Sequence, residues 1–139
     1  MIVVDTSVIV DLLRGKATPA VARLRWLADH DVPFAIPDVC GMEILQGARD
    51  EREWKVLLQY LGTQIVLSPR DPWALHVEAA RIFFDCRRLG VTPRSAGDCV
   101  IAALVLQEGG ALLHDDRDFE AIARVRPLQF ALREAEARS

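Results

Sequence analysis

Ile2-Val3-Val4-Asp5-Thr6-Ser7-Val8-Ile9-Val10-Asp11-Leu12-Leu13-Arg14-Gly15 decides how the rest of the chain is read. Ile2-Val3-Val4 is a β-branched run with no polar alternation, the pattern of a short strand buried on both faces. Thr6 or Ser7 is predicted to cap a helix that carries Val8, Ile9, Leu12 and Leu13 and stops at Gly15. A buried strand feeding directly into a helix is the repeating unit of a parallel α/β sheet. Between the two stands Asp5. A charge at the end of a buried strand is costly unless it is paired, hydrogen-bonded or coordinated. Asp5 therefore reads either as a metal ligand or as a cap on the next backbone amides.

The same alternation continues outward. Thr18-Pro19 opens a second helix with Val21, Leu24 and Leu27 on one face. Pro33 and Pro37 bracket a short strand, Phe34 to Ile36. Asp38 is predicted to cap a third helix carrying Val39, Met42 and Leu45, with Glu43 one turn in. Glu51 to Leu61 reads as a helix ended by Gly62, and Gln64 to Leu67 as a strand. Asp71-Pro72 starts a long helix running toward Gly90. Ser95-Ala96-Gly97-Asp98 has capping-box spacing and opens an apolar helix that ends at Gly109-Gly110. Ala111 to Leu113 is a further strand. Asp118 is predicted to cap a short helix through Ala123, and Leu128 to Ala131 to form an edge strand, with a charged tail beyond. No linker or internal repeat divides the chain, so residues 1–139 are expected to form a single domain.

Strands alternating with helices predict an α/β fold whose sheet is mainly parallel, with helices on both faces. Right-handed crossovers put the C-terminal ends of the strands on one edge, and ligands bind in the crevice there. Asp5 and Asp116 follow strands, while Glu43 and Asp98 sit in the early turns of helices, so all four are expected at that edge. Clustered carboxylates raise one another's pKa, and a hard divalent cation with oxygen ligands relieves the repulsion. Such a site, open to water, suits metal-assisted cleavage of a phosphodiester. Asp98 is also placed where any helix N-terminus favours an acid. Asp115 and Asp118 crowd the same strand end as Asp116. His114 reads as a group that orients a carboxylate or touches a phosphate, or as a strand-end residue with no chemistry.

Composition narrows the function classes. The net charge of -3 excludes nucleic-acid binding through a broad basic surface. Contact with a polyanion would fall to local cations, with Arg14, Lys16, Arg87, Arg88, Arg94 and Arg117 as candidates. Cys40, Cys86 and Cys99 form no C-x-x-C pair and read as reduced thiols in or near a core, in a cytoplasmic protein. The chain lacks a basic stretch before its first apolar segment, so no signal peptide is expected. It also lacks an apolar run of the ~20 residues needed for a membrane span. Glycine-rich phosphate loops and zinc-spaced histidines are absent. An Asp-dependent phosphatase or phospho-acceptor domain shares this layout. The first class needs an acid two residues after Asp5, where Ser7 stands. The second needs a late lysine, and Lys55 is the last. A catalytically inactive binding module is a third reading. Of Trp26, Trp54 and Trp73, at least two are expected in the core, and any other offers a docking or homodimer face.

Four segments together are similar to a known family: Ile2-Val3-Val4-Asp5-Thr6-Ser7, Met42-Glu43-Ile44-Leu45-Gln46-Gly47, Arg94-Ser95-Ala96-Gly97-Asp98-Cys99-Val100-Ile101-Ala102 and Leu113-His114-Asp115-Asp116-Arg117-Asp118-Phe119. In order and spacing they resemble a PIN domain, and more narrowly the VapC-type toxins of bacterial toxin–antitoxin pairs. The resemblance implies a three-layer α/β/α fold with five strands in the order 3-2-1-4-5. It implies an endoribonuclease dependent on Mg²⁺, or Mn²⁺, that cuts structured RNA such as transfer RNA or ribosomal RNA with a water acidified by the cation. It implies a cognate antitoxin as partner, and a homodimer or a hetero-oligomer with that antitoxin. The family's acids fall on Asp5, Glu43, Asp98 and Asp116, and its hydroxyl on Thr6. Arg94 is the candidate for holding the scissile phosphate. His114 replaces the Thr or Ser often found two residues before the last acid. Asp115 and Asp118 are additional candidate ligands.

Overall fold

A computed structural model describes residues 1–132. Among these, five strands and seven helices follow one another as β1 (Ile2–Val4), α1 (Thr6–Leu13), α2 (Pro19–Asp29), β2 (Phe34–Pro37), α3 (Asp38–Gln46), α4 (Glu51–Gly62), β3 (Ile65–Leu67), α5 (Pro72–Arg88), α6 (Ala96–Glu108), β4 (Ala111–Leu113), α7 (Arg117–Ile122) and β5 (Gln129–Phe130). The charged tail lies outside the described residues.

The strands form one sheet in the order β3-β2-β1-β4-β5, and every neighbouring pair is parallel. The chain moves outward from β1 to β2 to β3, then crosses back and proceeds through β4 to β5. With right-handed crossovers, the two directions of travel place their helices on opposite faces. The packing agrees: α1 touches α2 and α3, and α3 touches α4, while α5, α6 and α7 pack on one another. This is the expected three-layer α/β/α arrangement.

The core follows from composition. Val3, Val4, Leu112 and Leu113 are fully buried in the middle of the sheet. Helix α6 is apolar nearly all round and buries Cys99, Ile101, Ala102, Ala103, Leu104 and Val105, as befits an interior helix. Each fully buried Val, Leu or Ile side chain contributes roughly 1.5–3 kcal/mol relative to exposure. At the far end of α6, Gly109 takes a left-handed backbone conformation and closes the helix. Gly110 then lies so close to the Met1 carbonyl that no side chain fits, and the Ala111 amide donates to that same carbonyl at 3.1 Å. All three cysteines are free and buried. None of the described helices is long and apolar enough to cross a membrane.

Several local expectations are corrected. Helix α1 is capped by Asp5, as the second reading of that residue had it, and not by Thr6 or Ser7. Helix α7 is capped by Asp116, not by Asp118. In both, the carboxylate after the strand accepts the amide two residues on, a shorter reach than a cap set one step later. Helix α3 begins one residue earlier than expected, with Pro37 at the cap and Asp38 as its first residue. Ser95 caps α6 through the Gly97 amide, without the reciprocal bond of a capping box. The tryptophans depart furthest, since Trp26, Trp54 and Trp73 are 47%, 42% and 77% exposed and none belongs to the core. Helices α2 and α5 bury stripes of smaller apolar residues, α4 buries only Leu61, and all three turn the aromatic rings outward.

Candidate functional site

The sheet order reverses direction between β1 and β4. The chain leaves β1 on one side and β4 on the other, so a crevice opens beyond their C-terminal ends, where ligands bind in folds of this type. Asp5 ends β1 and Asp116 follows β4 within three residues. The two strands are held together at that edge, where the Asp5 amide donates to the Leu113 carbonyl at 3.0 Å.

Asp5 is 5% exposed, the one buried charged residue of the described chain. One carboxylate oxygen accepts the Ser7 amide at 3.1 Å and the Ser7 hydroxyl at 2.6 Å. The Cys40 thiol, itself pushed up to about 12 chiefly by burial, lies 4.0 Å from the other oxygen. Burial holds the Asp5 pKa above its ordinary value, the Ser7 bonds oppose it, and Asp116 adds repulsion. Ser7 also accepts the Asp115 amide at 3.2 Å, so its hydroxyl joins the loops after β1 and β4. The sequence marked Ser7 only as a possible cap.

Asp98, Asp116 and Asp118 form the tightest group, with one carboxylate oxygen of each within 4.8 Å of the others. Asp98, third residue of α6, is half-buried. Burial, then Asp116, Asp5 and Asp118, push its pKa up to about 7. Asp116 accepts the Asp118 amide at 3.0 Å. Arg94 closes over two of the three acids. Its Nη2 donates to Asp116 at 3.2 Å, while its backbone amide and Nε donate to Asp118 at 3.0 and 3.4 Å. Asp118 was only one of several acids the sequence offered near β4. Its distinguishing signal is the two-residue spacing from Asp116, which puts one carboxylate at the cap and the other on the first turn of α7. Asp115 is exposed and borders the same cleft.

Glu43 stands apart from that trio. It is half-buried on α3 and lines a neighbouring groove with Arg14, Ile44, Arg49 and Glu53. Its link to the site runs through Asp5, whose charge, after burial, raises the Glu43 pKa. The Thr6 hydroxyl lowers the pKa of both Glu43 and Cys40, yet its buried oxygen has no hydrogen bond of good geometry among the described residues. His114 turns elsewhere. Its Nδ1 accepts the Asp116 amide at 3.1 Å, so the neutral ring carries its proton on Nε2, 3.5 Å from Glu120. Burial pushes its pKa down, and the ring packs between Phe119 and Phe130.

A hard divalent cation fits these residues. The donors nearest one another are carboxylate oxygens, with no sulfur or imidazole among them. The Asp98 carboxyl is starved of positive charge, and a buried hydroxyl beside Glu43 lacks a partner. Metal sites of Mg²⁺ and Mn²⁺ take such an oxygen-rich set.

Comparison with known proteins agrees with this geometry. The PIN domain description matches residues 2–125. Ribonuclease VapC11 of Mycobacterium tuberculosis is 36% identical over 132 residues, covering 94% of this chain and 98% of that protein. Among solved structures, VapBC2 from Rickettsia felis, bound to a DNA fragment from its promoter, superposes with a TM-score of 0.72 at 16% identity, covering 94% and 97% of the two chains. VapBC-1 from nontypeable Haemophilus influenzae gives 0.71 at 19% identity, covering 94% and 96%. Sheet order, acids at the crevice and a family match across most of its length lead to one assignment: the chain belongs to the PIN domain family.

Proposed function

We propose that this protein is a metal-dependent endoribonuclease, the toxin of a toxin–antitoxin pair acting in the cytoplasm on structured RNA such as transfer or ribosomal RNA. The observation that carries the reading is electrostatic. Asp98 feels Asp5, Asp116 and Asp118 at once, and Asp5 in turn feels Asp116. Acids gathered at a sheet's ligand-binding edge, at a cost in repulsion, fit a site kept for a cation.

Asp98 and Asp116 would hold Mg²⁺ or Mn²⁺ together with Asp5 and Glu43, and Asp118 has the proximity to join them. Asp115 is a further candidate. The ion supplies Lewis acidity at the phosphate and lowers the pKa of water for attack on phosphorus. The protein's own part is positioning. Ser7 and the Cys40 thiol fix the Asp5 carboxylate, while the Asp118 amide fixes that of Asp116. The Arg94 guanidinium presents a planar fork suited to a phosphate. Thr6, with its unpartnered hydroxyl next to Glu43, stands ready to accept or donate one hydrogen bond at the site's edge. His114 sets the β4 loop through its bond to the Asp116 amide and is distant in role from the phosphate.

VapC11 is named a ribonuclease, and one similar solved structure is a toxin–antitoxin complex from Klebsiella pneumoniae. By likeness to them, a cognate antitoxin is the partner proposed here, together with a second copy of this chain. Outward-facing Trp26, Trp54 and Trp73 supply apolar surface for such partners. Incubation of the purified chain with transfer RNA tests the activity. Cleavage is expected with Mg²⁺, none with EDTA, and at least a hundredfold less with Asp98→Asn at unchanged circular dichroism. Equal cutting in EDTA would remove the metal from the mechanism.

A further inference from the structure

The Arg94 side chain is three-quarters exposed, yet its head lies on two of the three clustered carboxylates. A solvated ion pair of this kind is weakly held. The third acid, Asp98, is reached by no ion pair among the described residues. Asp118 keeps a second anchor that does not depend on the guanidinium, the Arg94 backbone amide at 3.0 Å. Asp116 likewise keeps the Asp118 amide. The side chain can therefore leave both acids without unfastening either.

A dication shared by these oxygens offers twice the charge of a guanidinium and reaches Asp98 as well. It also repels the guanidinium at close range. Resting on the metal-centre reading above, we propose that Arg94 is the resident counterion of the unloaded site, expelled when the cation binds and thereby presented to the substrate phosphate. Metal loading and phosphate capture are then coupled in one step. The unloaded protein holds its phosphate-binding fork against its own carboxylates, and only the loaded one offers it. Arg94 acts on the substrate and competes with the metal, whereas a purely structural brace would support the metal's ligands.

Two measurements on the full chain separate these roles. In the first, Mn²⁺ binding is followed by calorimetry for the wild type, Arg94→Gln and Arg94→Lys. Loss of the competing charge is expected to tighten Mn²⁺ binding about five- to tenfold in Arg94→Gln, with Arg94→Lys falling between. Equal or weaker binding in Arg94→Gln overturns the proposal and makes Arg94 a brace. In the second, the Arg94 Nε–H signal, assigned by its loss in Arg94→Gln, is followed by ¹⁵N NMR during Mg²⁺ titration. It is expected to move to the position of a free arginine as the Asp98 and Asp116 amides shift. Amide shifts with an unmoved Arg94 signal overturn the proposal alone. A wild-type chain that binds neither ion overturns the metal centre and this coupling with it.

Discussion

Asp98 is where the cost of the site is concentrated. Its carboxyl titrates near 7 in the folded, metal-free chain against an ordinary 3.8, because burial and three neighbouring acids disfavour its charge. The folded state thus holds a proton that the unfolded chain has released. That contribution to stability is fully present below the unfolded value and is lost as pH rises toward 7. Denaturant unfolding in EDTA is expected to show stability falling across this window and levelling above it. Asp98→Asn should shrink that fall, leaving the part due to Asp5 and Glu43, and make the variant more stable than the parent at neutral pH. Mg²⁺ requires the deprotonated form, so its stabilising effect should grow over the same range. A metal-free profile that instead rises with pH between 4 and 7 would contradict the assigned cause.

At the scale of elements, the site depends on α7, while the turn before β4 serves the fold alone. Phe119 is fully buried and fixes α7, whose cap is Asp116 and whose first turn carries Asp118. Phe119→Ala is expected to cost about 3–5 kcal/mol in urea unfolding and to weaken Mn²⁺ binding, because the two carboxylates lose their common support. Gly109→Ala should cost about 1–2 kcal/mol, since its backbone is left-handed. It should leave cleavage per folded molecule unchanged, being at the opposite end of α6 from Asp98. Most elements were legible as apolar runs punctuated by Gly and Pro, and the parallel sheet followed from their alternation. The caps were less so. After a buried strand, a lone Asp satisfies the amide two residues on; Asp116 does this where a later acid had been expected, and Asp5 does it where a hydroxyl had stood as the rival cap. The outward tryptophans were illegible for a different reason. Trp54 lies on α4, of which only Leu61 is fully buried, and the spacing of apolar residues does not say which stripe of a doubly apolar helix meets the sheet.

For the molecule as a whole, topology makes the site and charge limits its reach. Reversal of strand order between β1 and β4 gathers acids separated by more than a hundred residues. That gathering was predictable from the strand–helix alternation, whereas the ranking within it was not. Asp118 stands nearer Asp98 and Asp116 than Glu43 does, because helix phase and side-chain direction decide which acids meet. With a net charge of -3, the surface provides little general attraction for a polyanion, so on the proposed reading the metal and a few arginines would supply it. On the proposed toxin reading, expression of the chain by itself is expected to arrest bacterial growth. Asp98→Asn, at matched protein level, should lift the arrest. Persistent arrest with that variant would mean that toxicity does not come from cleavage.

Asp5 secures the start of α1 and belongs to the acid cluster as well. A genetic knockout made at codon 5 would consequently combine two lesions, a chemical one and a conformational one, and neither a silent plasmid nor low protein yield would tell them apart. Codon 98 offers the cleaner reference allele, since its carboxylate burdens the fold instead of bracing it.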